Sequence, residues 1–325
     1  MNAAVVGCGL IGRKRAAALA SRCTLALCVD TDLDRARSLA AVHGARADAD
    51  WRAVLDRDDI ALVVVATRHD SLAEIAGAAA ARGLHVLVEK PAARTAAELL
   101  PVQHAAACSG ALVRVGYNHR YHPALRQARA LVDSGALGPL LFVRARYGHG
   151  GRPGYDREWR ARPELSGGGE LIDQGVHLID LARWFLGDFT RVHGRVLTAY
   201  WDMPVEDNAF LTLETPTRQV AFLHASCTEW KNLFSFEIYG RAGKLEISGL
   251  GGSYGLERLA FYRMLPEMGP PETTIWEYPR GDASFALETE EFLEDIRLRR
   301  PPSPGLPDAL AVLRVVDAVY SQAVP

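Results

Sequence analysis

An apolar run, Ala3 to Val6, closes directly on Gly7-Cys8-Gly9-Leu10-Ile11-Gly12, and an Ala-rich stretch with helical character follows from about Leu10 to Ala20. A strand that feeds a G-x-G-x-x-G turn into a helix is the opening unit of a dinucleotide-binding βαβ fold. Gly7 permits the tight turn, Gly9 lets the backbone approach a pyrophosphate, and Gly12 lets helix and strand pack closely. The helix N-terminus, carrying Leu10 and Ile11, then faces the diphosphate with unpaired N–H groups. Asp30 ends the next apolar run, where a carboxylate accepts hydrogen bonds from adenosine ribose hydroxyls. With Asp32 beside it, a 2′-phosphate is repelled, so the expected cofactor is NAD rather than NADP. Arg13, Lys14 and Arg15 bear only on the choice between NAD and NADP: they read as solvated charge on the helix surface, with reach toward phosphates as the alternative.

The same texture continues through the first 120 residues. Candidate strands Ala3 to Val6, Thr24 to Val29, Ile60 to Ala66, His85 to Val88 and Leu112 to Val115 alternate with helical stretches Leu10 to Ala20, Leu33 to His43, Ser71 to Arg82 and Thr95 to Ser109. Gly44, Gly83 and Gly110 stand where left-handed C-terminal caps belong. This predicts an α/β domain, a doubly wound parallel sheet of Rossmann type, over 1–120. After Pro123 the pattern changes. A helix from Ala124 to Ser134 precedes alternating β-rich runs, LFVRARYG, RVHGRVLTAYW, NAFLTLET, QVAFLHASCT, FSFEIYG and KLEISG, interrupted by one strong helix from Glu170 to Leu186. A second domain over 121–325, α+β with a large, open, mainly antiparallel sheet, is the expected result. Helices over Ser284 to Arg299 and Pro307 to Val324 close the chain and are expected to be able to pack back on the first domain.

Composition narrows the functional classes. The length of 325 residues suits two domains at about 150 residues each. A net charge of -2 from 37 basic and 39 acidic residues gives no long-range field for nucleic acid or anionic lipid. The apolar stretch Ile60 to Ala66 is far short of the ~20 residues of a membrane span. The start of the chain, MNAAVVGCGLIGRKR, places its apolar run before its basic residues, the reverse of a signal peptide. Cys8, Cys23, Cys28, Cys108 and Cys227 form no C-x-x-C pair or zinc-like spacing, so no metal site is read and a reducing cytoplasmic setting is expected.

Two further constellations carry chemistry. Glu89-Lys90-Pro91 follows a parallel strand, so Lys90 projects at the carboxyl edge of the sheet, where open α/β folds hold ligands. Asp173 and His177 stand four residues apart on the helix from Glu170 and share a face. An imidazole takes an alcohol proton near neutral pH, a carboxylate orients it, and a lysine steadies a developing alkoxide. Together these groups suit an alcohol and ketone interconversion.

Gly7 to Gly12, Glu89-Lys90-Pro91, Gly116-Tyr117-Asn118-His119-Arg120-Tyr121, Gly167-Gly168-Gly169 and Asp173-Gln174-Gly175-Val176-His177-Leu178-Ile179-Asp180 resemble, in order, the motifs of the Gfo/Idh/MocA family over nearly the whole chain. The resemblance implies a cofactor held at the junction of a Rossmann domain and a sheet domain, with Lys90, Asp173 and His177 at the catalytic positions. It implies a sugar or cyclitol substrate, with hydride passing between its carbon and nicotinamide. Trp159-Arg160 resembles the loop that approaches the nicotinamide, Asn118 and Arg120 the residues after the last Rossmann strand, and the Lys90–Pro91 bond is expected to be cis. Thr67, Glu89, Lys90 and Asn118 join the expected cofactor contacts, although Thr67-Arg68-His69-Asp70-Ser71-Leu72 departs from the usual T-P-x-x-x-H. Substrate contacts are expected among Lys90, Asn118, Arg120, Tyr147, Arg152, Tyr155, Asp173, His177 and Trp230, with His149, Glu229 and Lys231 also candidates.

Asp180 reads as a structural partner for Arg183 or a backbone donor, and Gly167 to Gly169 as a close-packing helix entry rather than a phosphate site. The arginines of 144–162 fit a phosphorylated or nucleotide-linked sugar and equally an inositol with the arginines ion-paired. A homodimer or homotetramer through the second sheet is expected from the family. The readings left open are a non-catalytic dinucleotide or sugar sensor on the same scaffold, a reductase of a nucleotide-linked keto sugar, and an enzyme that recycles its cofactor in place.

Overall fold

The structure, a computed structural model, describes residues 1–322. The last two residues of the helix expected over Pro307 to Val324 lie outside the described residues. The chain forms two compact units, Met1–Asn118 with Phe285–Leu313, and His119–Ser284 with the chain from Arg314 on.

In the first unit β1 (Asn2–Val6), α1 (Leu10–Ala20), β2 (Thr24–Val29), α2 (Leu33–His43), β3 (Arg46–Asp48), β4 (Ile60–Val65), α3 (His69–Ala81), β5 (His85–Glu89), α4 (Ala96–Ser109) and β6 (Val113–Gly116) follow the expected alternation, with the short β3 as a strand beyond the five expected. The sheet runs β3-β2-β1-β4-β5-β6 and is wholly parallel. Parallel strands covered on both faces read as unbroken apolar runs, and Val63, Val64 and Val65 of β4 are buried. The Asp32 carboxylate caps α2 by accepting from the Asp34 and Arg35 N–H groups, and Thr95 caps α4. Gly44 and Gly110 take left-handed C-caps. The strand order reverses between β1 and β4, the switch point at which doubly wound sheets take ligands.

The second unit holds α5 (Pro123–Asp133), β7 (Leu140–Gly148), the short α6 (Pro163–Ser166), α7 (Val176–Leu186), β8 (Arg191–Leu197), β9 (Asn208–Glu214), β10 (Val220–Ser226), β11 (Leu233–Gly240), β12 (Gly243–Ser248), β13 (Glu257–Arg263) and β14 (Glu272–Tyr278). They form one sheet, β14-β13-β12-β11-β7-β10-β9-β8, antiparallel except where β7 meets β10. Val143, Ala145 and Tyr147 of β7 point into the core while Phe142 and Arg144 point out, the alternation that a sheet with one covered face requires. β13 and β14 extend it beyond the runs read from sequence. The helix expected from Glu170 to Leu186 is not uniform: Leu171–Gly175 is a π-helical turn, and α7 follows it. α8 (Ser284–Leu298) and α9 (Leu306–Gln322) close the chain.

Among the described residues no helix is long and apolar enough to cross a membrane, and no group of three His, Cys, Asp or Glu is arranged to hold a metal ion.

Candidate active site

In the first unit the turn after β1 is shaped by what the glycines exclude. A Cβ on Gly7, whose φ is +94°, would lie 2.4 Å from the Ala66 carbonyl oxygen, and one on Gly12 would lie 1.8 Å from that of Gly7. A Cβ on Gly9 would meet nothing within 4 Å. Two glycines are therefore needed for packing and the third leaves open backbone. Gly9 is the N-cap of α1 with no side-chain cap, so the first N–H groups of the helix face outward beside Leu10, which is 74% exposed. Asp30 lies against this turn, its carboxylate accepting the Cys8 N–H at 2.8 Å and the Asp32 N–H at 2.9 Å. An uncapped helix start and open backbone supply the donors that a dinucleotide diphosphate needs, and the adjoining carboxylate supplies an acceptor for ribose hydroxyls. These residues fit NAD.

Thr67 and Lys90 follow β4 and β5 at the same carboxyl edge. Thr67 Oγ1 accepts from Ser71 Oγ at 3.0 Å. The Lys90–Pro91 peptide bond is cis. The structure corrects one reading here. Arg15 is fully buried, not solvated: it donates to Glu89 at 2.6 Å and to Glu288 of α8 at 2.5 Å. The Glu89 carboxylate is correspondingly an ion-pair partner inside the unit, which leaves its backbone as the part that could face a ligand.

In the second unit the three glycines before Glu170 bring two chain segments into contact. A Cβ on Gly169 would lie 1.9 Å from the Glu206 carbonyl oxygen, and one on Gly168 would lie 2.0 Å from the Tyr320 hydroxyl. The Glu206 carboxylate accepts the Gly169 and Leu171 N–H groups at 3.0 Å each, and the Tyr320 hydroxyl donates to it at 2.8 Å. A carboxylate of the protein itself thus fills this helix start, which makes the triplet a packing device and not a phosphate site.

The π turn beyond it carries Asp173. Such turns are frequent at functional sites. Arg160 Nε donates to Asp173 Oδ2 at 2.8 Å, and the guanidinium lies over the Trp159 ring with its carbon 4.5 Å from the centroid. His177, at the start of α7, is buried. Its ring stacks on that of His119 with centroids 3.8 Å apart and planes at 15°, and the Tyr147 ring meets it edge-on at 6.0 Å. Burial and the nearby Tyr254 hydroxyl push the Tyr147 phenol well above its ordinary range. It stays a neutral hydrogen-bonding group.

Arg120 is buried and holds Asp180 through two hydrogen bonds of 2.8 and 2.6 Å, so Asp180 pairs with Arg120 while Arg183 pairs with Asp188. The Tyr155 hydroxyl donates to Glu170 at 2.8 Å and is buried. Asn118, also buried, ends the first unit. Arg152 pairs with Glu158 on the surface. Trp230 is 67% exposed, with φ at +55° and its ring against that of Tyr200. The arginines of 144–162 are largely matched internally: Arg144 by Glu237, Arg157 by Asp156, Arg160 by Asp173 and Arg162 by Glu164. They give no separate signal for a phosphorylated substrate.

Comparison with known proteins decides the family. Residues 1–117 match the model of an oxidoreductase family with an NAD-binding Rossmann fold, and residues 125–246 match that of the GFO/IDH/MocA C-terminal domain. The chain belongs to the Gfo/Idh/MocA family. It is an NAD-binding oxidoreductase by that membership. Levoglucosan dehydrogenase of Pseudarthrobacter phenanthrenivorans is 31% identical over 99% of this chain and 96% of that one. Inositol 2-dehydrogenase 3 of Saccharopolyspora erythraea is 30% identical over 99% and 94%. Among solved structures, GenD2 from gentamicin A biosynthesis in complex with NAD superposes with a TM-score of 0.83 at 27% identity over 99% of this chain and 94% of that one. Levoglucosan dehydrogenase in complex with NADH and levoglucosan shares the fold, with a TM-score of 0.89 at 24% identity over 99% and 97%.

In this Gfo/Idh/MocA chain the residues that sequence reasoning left unassigned are His119, Glu170 and Glu206. His119 stands inside the motif Gly116 to Tyr121, and its stacking on His177 has no local signal. Glu170 stands one turn before Asp173, and two acids at that spacing on an apolar helix were a signal that could have been read.

Proposed function

We propose that the protein is an NAD-dependent dehydrogenase that interconverts a secondary hydroxyl and a ketone on the ring of a sugar, sugar derivative or cyclitol. The observation that carries this reading is the second unit's buried pair: Asp173 fixed by Arg160, and His177 one turn on, stacked on His119 with Tyr147 edge-on to both rings. Nicotinamide, when bound, supplies the acceptor or donor of hydride at the substrate carbon. His177 takes the hydroxyl proton in the oxidation and returns it in the reduction. Asp173 orients His177 and hydrogen-bonds a substrate hydroxyl. Lys90 donates to the reacting oxygen, whose charge grows as its proton leaves. Gly9, Leu10, Ile11, Asp30 and Thr67, with the backbone at Glu89, hold the dinucleotide, and Asn118 and Trp159 complete its contacts. The names of the relatives, levoglucosan and inositol dehydrogenases, support a polyhydroxylated ring as substrate.

The outer face of the second sheet supports self-association. Phe142 stacks on Tyr239 at 4.2 Å and Phe210 on His224 at 4.3 Å, and Phe222 is 49% exposed. A homodimer or homotetramer would cover these rings. Five free cysteines suit a reducing cytoplasm.

The deciding experiment is turnover with NAD against inositols, free hexoses, hexose phosphates, aminosugars and nucleotide sugars, followed by the variants Lys90→Ala and His177→Ala. Each variant is expected to lower kcat by about 100-fold or more while NADH affinity, read by fluorescence, changes little. Retained turnover in both would overturn the roles given to them.

A further inference from the structure

Glu170 opens the helix that carries Asp173 and His177, and it is 1% exposed. Its carboxyl sits among uncharged partners. The Tyr155 hydroxyl donates to Oε1 at 2.8 Å, and His149 Nε2 stands 3.8 Å from the same oxygen. His149 Nδ1 accepts the Gly151 N–H at 2.9 Å, so the ring's one proton in its neutral form is on Nε2. The other carboxyl oxygen, Oε2, is buried without a hydrogen-bond partner. Tyr155 and Cys227 belong to an apolar cluster with Met203, Val205 and Trp201.

Among the described residues no arginine or lysine comes within ion-pair distance of Glu170. Asp173, one turn on, has Arg160 at 2.8 Å. A third carboxylate, Glu206, caps the helix start nearby and also acts on Glu170. The Tyr147 and Tyr254 phenols, which feel both Glu170 and Asp173, are neutral. The cluster therefore holds three acids and the guanidinium of Arg160, which is directed at Asp173. Ionising Glu170 would place a second buried negative charge beside Asp173 without a cation to meet it, which is costly in a site of low polarity.

We propose that Glu170 is a positioning residue that works as a neutral carboxylic acid, leaving Asp173 as the charged partner of Arg160 on the helix that presents His177. Burial and the Asp173 charge, opposed by the Tyr155 hydrogen bond, push the Glu170 carboxyl up to about 8. Burial lowers His149 from its ordinary value, so this imidazole does not supply the missing cation near neutral pH. When Glu170 loses its proton at alkaline pH, the new charge competes with Asp173 for Arg160. The orientation given to His177 is then lost. The functional consequence rests on the reading of Asp173 and His177 given above, whereas the proton on Glu170 does not.

The test separates the two. Infrared difference spectra of the protein without substrate are expected to show a protonated carboxyl band at neutral pH that is absent in Glu170→Gln and fades in the wild type near pH 8. The absence of that band at neutral pH overturns the proposal whatever the reaction is. In kinetics, the alkaline limb of kcat is expected to rise by about one pH unit in Glu170→Gln, since the amide cannot ionise. Glu170→Leu, which removes the acceptor for Tyr155, is expected to lower kcat about tenfold with KM for NAD held. An alkaline limb in Glu170→Gln identical to that of the wild type overturns the proposal. Failure of Lys90→Ala and His177→Ala to affect turnover would overturn the catalytic assignment, and the infrared band would still decide whether Glu170 carries its proton.

Discussion

Arg160 Nε donates to Asp173 Oδ2 at 2.8 Å, and the carboxylate that receives it is 7% exposed. The arginine comes from a short 3-10 turn and the aspartate from a π turn, so two irregular segments are locked together by one charge-assisted contact. Replacing Arg160 with Met leaves that carboxylate buried without this donor. The guanidinium is itself one-third exposed, which argues for the low end of such losses, ~2 kcal/mol or ~30-fold in kcat. Arg160→Lys restores the charge without the planar donor set and should rescue only part of it. Turnover of Arg160→Met within about twofold of wild type would make the contact a bystander to catalysis.

The glycine turn separates packing from binding. Gly12→Ala places a methyl group 1.8 Å from the Gly7 carbonyl oxygen. Strain of that kind is expected to lower stability by ~3 kcal/mol or more, seen as a fall in the melting temperature of the protein without cofactor. Gly9→Ala meets nothing within 4 Å and should melt like the wild type. Its methyl group stands where backbone is open to a diphosphate, so NADH affinity is expected to fall about tenfold or more. Equal effects on melting and on NADH binding in the two variants would contradict this division.

These contrasts also show which parts of the molecule a sequence can display. The first sheet was legible because its strands, such as Ile60–Val65, are covered on both faces and read as unbroken apolar runs. The four-residue spacing of Asp173 and His177 is a local property of the sequence, but the π turn that carries Asp173 ahead of α7 is not. β13 and β14 were missed because they lie toward one edge of the second sheet, where Glu272 to Ile275 are exposed and carry little alternation. The short β3, polar and three residues long, gives no run to read. The π turn depends on the Glu206 cap, a contact across more than thirty residues of chain. Arg15 was misread for the same reason: next to Gly12 it looks like surface charge, and only α8 makes it an interior residue.

Acid stability should report on the outer face of the second sheet. Burial would raise the Glu237 carboxyl, but hydrogen bonds from Arg144 and Lys244 outweigh it and hold it down at about 2. A carboxylate whose folded value lies below its unfolded value stabilises the fold above the unfolded value and loses that contribution as pH falls through the folded one. The window is therefore between about 4.5 and about 2. Both cations are partly solvated, which limits the contribution to ~1 kcal/mol. Glu237→Gln is expected to be less stable than wild type in urea at pH 7 and to show a smaller further loss across that acid range. Parallel curves for the two proteins would remove the assignment.

Arg15 provides the sharpest stability test because its side chain is fully buried. The guanidinium is fully buried between Glu89 and Glu288, with the Phe285 ring centroid 4.6 Å from its carbon. Arg15→Met keeps much of the side-chain length but strands two buried carboxylates, and breaking such a cluster from one side costs about 3–5 kcal/mol. Removing Glu288 along with it, as Arg15→Met/Glu288→Leu, eliminates one of the stranded charges and should recover part of the loss. The recovery is the informative quantity, since apolar replacements of buried ion pairs are often neutral or better. A double variant no more stable than Arg15→Met alone would mean that the loss arises from packing around Phe285 rather than from unmatched charge. Because Glu89 directly precedes Lys90, the same variants should also be assayed for turnover: a fall in kcat larger than the stability loss explains would show that this buried cluster helps to hold Lys90 in place.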